Sequence, residues 1–319
     1  MSKRVDAHIE RLIRHAHELG SCYAAPWRQR EALDRRVRRG ALISPVRGLY
    51  ADPDYWMRLD EANRAVHIMR GHLAKHPAWT FCSFSAAAAY GIDVPVELLG
   101  KTHIAMPPHS PGKSTSEAIR HGVANGAASH IRGIPVVDIE ETLMQCLCDA
   151  TFELGLAIVD SALHRGLVHS SDLVRFFQIE GKGRRGIRQA RETLRWADAK
   201  SENGGESRVR AIMIEEGFAA PRLQVEFPNP LQPESPFRVD YWWRRKDGSQ
   251  VAGELDGKAK YLDPEMLDGK STVEAFSQER QREALLTAHG LRVVRFSFAQ
   301  AQNRPYFARL LQAYGVPMR

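Results

Sequence analysis

The chain has 319 residues, 43% of them apolar and 26% charged, the balance of a folded protein and length enough for two or three domains. No run of about 18 uncharged apolar residues occurs, which excludes a membrane-spanning helix. The formal net charge is +7, and the first fifty residues hold 11 Lys and Arg against 5 Asp and Glu, so nearly the whole excess sits in under a sixth of the length. Focused positive charge attracts polyanions, and nucleic acid is the commonest of them; the plainer reading is a solvated arginine-rich helix. The four cysteines, Cys22, Cys82, Cys146 and Cys148, include no C-x-x-C pair, and the first twenty residues are charged throughout with no apolar stretch. Both set the expectation of a reducing cytoplasm, without a secretory leader.

Residues 3–19 read as an amphipathic helix, with Val5, Ile9, Leu12, Ile13 and Ala16 at helical spacing. Residues 27–39 read as a second, with Trp27, Leu33 and Val37 on one side and arginines on the other, closed by Gly40. Ala41–Tyr50 then reads as a strand, a turn and the start of another strand. Helices followed by a tight two-stranded wing describe a winged helix-turn-helix over 1–55, which sets one helix in the major groove of DNA and the wing on its backbone. Arg35, Arg38, Arg39 and Arg47 are its candidate DNA contacts, undivided between base and phosphate.

The middle region, 56–200, reads as mainly helical. Helices are predicted over 58–76, 83–90, 138–149, 151–165, 170–178 and 184–197, with a strand over 101–106 and short segments near 118–136. His103, His109, His121 and His130 are scattered there without ligand spacing. Arg184 and Arg185 read as a solvated loop. Ser201-Glu-Asn-Gly-Gly205 reads as a polar linker and a domain boundary.

The last third, 201–319, is predicted in the order α-β-β-β-α-β-α: a helix over 206–217, strands over 223–227, 237–243 and 250–256, a helix over 272–288, a strand over 291–298 and a helix over 305–314. Asp247-Gly248 marks a hairpin, in which paired positions sum to about 495. Side chains alternate along a strand, so Glu254, Asp256 and, if the strand continues, Lys258 share a face, with Asp240 beside 254–256 on the neighbouring strand. Clustered carboxylates repel unless something neutralises them. A hard Mg2+ or Mn2+ ion at Asp240, Glu254 and Asp256 would do so, and a nearby lysine suits phosphodiester hydrolysis. The plainer reading is an exposed hairpin with salt bridges. Of Trp242 and Trp243, at least one is expected in the core; Gln278 faces either the site or solvent.

Glu206-Ser-Arg-Val-Arg210, Gln224, Arg238-Val-Asp240, Gly253-Glu-Leu-Asp-Gly-Lys-Ala-Lys-Tyr261 and Gln278-Glu-Arg-Gln-Arg-Glu with His289-Gly-Leu-Arg-Val-Val-Arg-Phe296 occur in order. Over about 204–316 they resemble the very-short-patch-repair-like branch of the PD-(D/E)xK restriction-endonuclease fold. The resemblance implies Asp240 as the motif aspartate, Glu254 and Asp256 as its E-x-D, and Glu206 as the acid of the preceding helix. It matches Glu279 and Arg282 to the following helix. Lys258 or Lys260 would be the basic residue; related domains often carry histidine where Lys260 stands. The first two hundred residues are similar to AbiEi-family antitoxins of type IV toxin–antitoxin systems through Arg36-Val-Arg-Arg-Gly40, Arg47-Gly-Leu-Tyr-Ala51, Ser85-Ala-Ala87 and Asp160-Ser-Ala-Leu-His-Arg-Gly166. That resemblance implies a DNA-binding autoregulator with a toxin or operon partner.

The expectation is therefore an α+β, α/β multidomain chain. Three readings stand: a DNA-binding metal-dependent endonuclease, an antitoxin-like regulator whose nuclease fold is non-catalytic, and an interaction protein whose basic N-terminus meets an acidic partner.

Overall fold

A computed structural model describes residues 3–109, 112–123, 128–256 and 272–319. The architecture is mixed α/β with several small sheets, in two compact units, Met1–Arg195 and Trp196–Arg319.

The first unit opens with α1 (Lys3–Glu18), β1 (Tyr23–Ala24), α2 (Trp27–Arg38), β2 (Ile43–Val46) and β3 (Leu49–Ala51). The strands pair antiparallel in the order β1-β3-β2. Ile9 and Ile13 of α1, Leu33 of α2, Leu42 and Tyr50 close a small core around them, as the helical spacing of the apolar residues requires. Trp27 departs from expectation. It starts α2, a turn before the residues that pack, and is 74% exposed with the Arg28 guanidinium over its ring. Arg47-Gly48 turns β2 into β3. Gly48 has φ 77°, and the Arg30 guanidinium lies 3.2 Å from where a Cβ would stand, so the turn needs glycine for both reasons.

Then come α3 (Pro53–Met57), α4 (Glu61–Lys75) and α5 (Ser83–Ala89). Asp52 and Asp60 cap α3 and α4, so the helix predicted over 58–76 starts at Glu61 and the short α3 before it is an addition. β4 (Thr102–Met106) pairs in parallel with β5 (Ala118–Gly122), and β6 (Ala128–Ile131) antiparallel with β7 (Ile134–Val137). Phe81 bridges the two pairs at Ile104 and Val136, inside a core that includes Met69 and Ile134. The middle region thus carries two strand pairs beside its helices. His103 and His121 are not scattered: on neighbouring strands, their Nδ1 and Nε2 lie 2.9 Å apart. α6 (Ile139–Asp149), α7 (Phe152–His164), α8 (Ser170–Ile179) and α9 (Ile187–Arg195) complete the unit. Arg184 is no solvated loop residue, because its two Nη groups donate to buried Glu141 of α6 at 3.1 and 2.9 Å.

The second unit runs α10 (Gly204–Glu215), β8 (Arg222–Phe227), β9 (Phe237–Arg244), β10 (Gln250–Asp256), α11 (Thr272–Ala288), β11 (Leu291–Ser297), α12 (Phe298–Gln302) and α13 (Arg304–Ala313). The predicted order recurs, with short α12 added. The sheet is β11-β10-β9-β8, parallel at β10–β11 and antiparallel at the other two pairs. One face packs Tyr241, Trp243, Val251, Val294 and Phe296 under Val209, Ile212 and Met213 of α10 and Phe307 and Leu311 of α13. The other packs Ala252, Leu291 and Val293 under Leu286 of α11. Trp243 is the core tryptophan; Trp242 is half-buried, its Nε1 donating to Gln250. The segment read as a linker is packed: Ser201 is buried and accepts from Ser207 Oγ at 2.8 Å, and Asn203 caps α10.

Candidate functional site

The hairpin of the second unit sets the position of the acids. Arg244 pairs with Gln250, and the turn between them places Gly248 at φ 84°. The paired positions sum to 494, one less than expected, and run to Gly253↔Tyr241. The next positions outward are Asp240 and Glu254. There the ladder between β9 and β10 ends, and Asp240 Oδ2 takes the Leu255 N–H at 2.8 Å in place of a backbone acceptor. β10 continues to pair with β11 as far as Asp256↔Ser297. Where β9 and β10 cease to pair lies a cleft of about 860 Å³, lined by Glu206, Asp240, Glu254, Asp256, Arg282 and Arg295 among others.

Glu206 reaches this cleft from the first turn of α10. Asn203, Gly204, Gly205 and Glu206 form a reciprocal cap: Glu206 N–H donates to Asn203 Oδ1 at 3.0 Å, and Asn203 Nδ2 donates to Glu206 Oε1 at 2.6 Å. A Cβ on Gly205 would stand 3.0 Å from Asn203 Oδ1, so glycine makes room for the cap. Glu206 Oε2 also accepts from Glu202 N–H at 3.0 Å and Gln224 Nε2 at 3.1 Å, and Tyr241 Oη–H donates to the Glu206 carbonyl at 2.9 Å. The side chain is 6% exposed. Burial, partly offset by the Glu202 N–H and reinforced by the charge of Asp240, pushes its carboxyl up to about 7. At neutral pH it can therefore hold or release a proton.

Glu254 and Asp256 share one face of β10, as alternation predicts. Glu254, 5% exposed, has Arg282 Nη1 at 2.7 Å from each carboxylate oxygen and Arg295 Nη1 at 3.6 Å. Arg295 stands directly across from Glu254 on β11 and also grips Asp256 through Nε at 3.1 Å and through Nη2. Arg282 Nη2 donates to the Arg238 carbonyl at 2.8 Å. Guanidinium groups from α11 and β11 thus neutralise the two acids of β10. Among the described residues no three His, Cys, Asp or Glu side chains converge tightly enough to hold a metal ion. The donor chemistry fits Mg2+ or Mn2+, being carboxylate oxygen throughout without thiolate or imidazole. Such an ion would share or displace the guanidinium contacts.

The sequence therefore names four acids that line one cleft: Glu206, Asp240, Glu254 and Asp256. Lys258 and Lys260 lie outside the described residues, as do the side chains of Gln278 and Glu279. Sequence reasoning missed Asn203 as a cap and Arg295 as a partner. Part of the signal for Arg295 was present, since it shares a strand face with Leu291 and Val293, where a charge is costly without a partner. In the first unit Arg38, Arg39 and Arg47 are exposed, whereas Arg35 is half-buried and pairs with Glu31 at 2.6 Å. No described helix is long and apolar enough to cross a membrane.

No family model matches the chain. No solved structure matches it. It is similar to two proteins of Mycobacterium tuberculosis, "Uncharacterized protein MT2308" of strain CDC 1551 / Oshkosh and "Uncharacterized protein Rv2248" of strain H37Rv. Each is 29% identical over 248 residues, which cover 76% of this chain and 84% of the relative.

Proposed function

We propose that the chain is a DNA-binding protein in which a winged helix-turn-helix over 1–55 and a middle domain over 56–200 precede a restriction-endonuclease-like domain over 201–319 that hydrolyses phosphodiester bonds in the cytoplasm. The observation that carries this reading is the meeting of Glu206, Asp240, Glu254 and Asp256, from α10, β9 and β10, on the wall of one cleft. Sequentially distant acids are costly to gather. The sheet order β1-β3-β2 beside α1 and α2 and the exposed Arg38, Arg39 and Arg47 support DNA as the partner.

Asp240, Glu254 and Asp256 are the residues that would hold Mg2+ or Mn2+, which when bound polarises a phosphodiester and acidifies a water. Asp240 also fixes the end of β10 through the Leu255 N–H. Arg282 and Arg295 orient Glu254 and Asp256 and balance their charge. Glu206, with its carboxyl near neutrality, is suited to take a proton from water. Lys258 is assigned to steady the charge that develops on the phosphate.

A second reading has its own observation. Because arginines already neutralise Glu254 and Asp256, the cleft is stable without an ion, which suits an antitoxin-like regulator, with a toxin or operon partner, that keeps the fold without catalysis. The test is incubation of supercoiled and linear DNA with the purified protein and Mg2+ or Mn2+, beside Asp240→Asn and Lys258→Ala. Asparagine keeps an acceptor for the Leu255 N–H, so folding is spared. Nicking by the parent and roughly a hundredfold less by either variant is expected. No nicking with either metal sinks the enzyme reading and leaves the regulator.

A further inference from the structure

Gln224 stands in the middle of β8 with φ 53°, a left-handed conformation that any side chain with a Cβ adopts against steric resistance. The β8–β9 ladder keeps one register on both sides of it, Leu223↔Tyr241 and Val225↔Val239. No extra residue is therefore absorbed there, as a bulge would do. In that register Gln224 stands across from Asp240. What the conformation achieves is direction: Gln224 Nε2 donates to Glu206 Oε2 at 3.1 Å. The other donors to that carboxyl, Glu202 N–H and Asn203 Nδ2, belong to the start of α10 itself and would serve any glutamate at that place in a cap. Gln224 is the donor that comes from the sheet. A left-handed residue whose side chain ends on one contact between layers is ground for a functional hypothesis.

We infer that Gln224 is a positioning residue: its strained backbone aims a carboxamide across the layers at Glu206 and fixes that carboxyl beside Asp240. The carboxamide serves both protonation states, donating N–H to the carboxylate or, turned over, accepting the O–H of the acid. The structural part of the inference stands on the geometry alone; its consequence for catalysis rests on the nuclease reading above.

The experiment uses the full chain with 13C in its glutamate carboxyls, as parent, Gln224→Gly and Gln224→Ala, with Glu206→Gln to assign the Glu206 resonance. Both variants lack the carboxamide and differ only in the Cβ. Glycine should melt roughly 3 °C above alanine, the reverse of the order at an ordinary strand position. The Glu206 resonance should move in both. If the parent nicks DNA, kcat per folded molecule, with the folded fraction taken from the melting curves at the assay temperature, should fall about tenfold in both variants with KM within about twofold. Alanine melting above glycine, an unmoved Glu206 resonance, or an unchanged kcat in an active protein each overturns the inference. A parent that nicks nothing sinks the nuclease reading alone, and the melting order and the resonance still decide for or against Gln224.

Discussion

His72 of α4 is 0% exposed, and neither ring nitrogen has a hydrogen-bond partner. Burial, with Lys75 and His76 nearby, pushes its imidazolium down to about 4 from the ordinary 6.5. His103, paired with His121 on β4 and β5, is pushed down to about 4 in the same way, by burial first and by His121 next. The sign follows directly. Below pH 6.5 the unfolded chain binds protons that the folded chain refuses until about pH 4, so stability falls as pH drops through that window. For His72 alone the loss is about 2 kcal/mol between pH 7.5 and pH 5. Urea midpoints of the parent at the two values should differ accordingly. His72→Leu should show a smaller difference, by about that amount, because His103 still contributes its own share. Equal pH sensitivity in parent and variant would mean that water reaches the His72 ring.

At the scale of elements, much of the second unit was legible, because period and punctuation agree there. Alternation in 237–243 and 250–256, with Asp247-Gly248 between, places the hairpin within one residue of the observed pairing. That placement is enough to bring Asp240 beside Glu254. Gln224 was not legible as left-handed, since neither Gly nor Asn stands there to announce it. The grip of Arg282 and Arg295 on acids about thirty to forty positions away joins different elements, which no local spacing encodes. Arg184 failed for the same reason. It sits among glycines and basic residues and looks solvated, yet it crosses to α6 and closes a fork on Glu141, which also accepts from Gln145 at 2.7 Å. Removing Arg184 leaves a buried carboxylate with one neutral donor. Arg184→Ala should therefore cost about 2–3 kcal/mol, at the lower edge for a buried pair because the guanidinium itself reaches water. In a double-mutant cycle, Glu141→Gln should remove most of that penalty. Additive single costs would show that α6 is held by apolar packing alone.

At the scale of the whole molecule, charge and chemistry are divided between the two units. The first holds 27 Lys and Arg against 21 Asp and Glu, and the second 18 against 17. The excess of the first equals that of its opening fifty residues, so the unit with the acidic cleft has almost no net pull on a polyanion, and the exposed arginines of α2 and the β2–β3 turn are the candidates for attraction. This makes the salt dependence of DNA binding a direct reading of a few side chains. Each phosphate contact lowers the slope of log K against log salt by about 0.9 on duplex DNA. Replacing Arg38, Arg39 and Arg47 together by alanine should flatten that slope by roughly 2.7 in a gel-shift titration on a random duplex. Arg35→Ala should change it by less than one contact, because Arg35 is already turned to Glu31. Glu31→Ala, which frees Arg35, should steepen it. A parent slope near zero, or a triple variant that keeps the full slope, would remove duplex DNA from the N-terminal region and with it the electrostatic half of the proposed function.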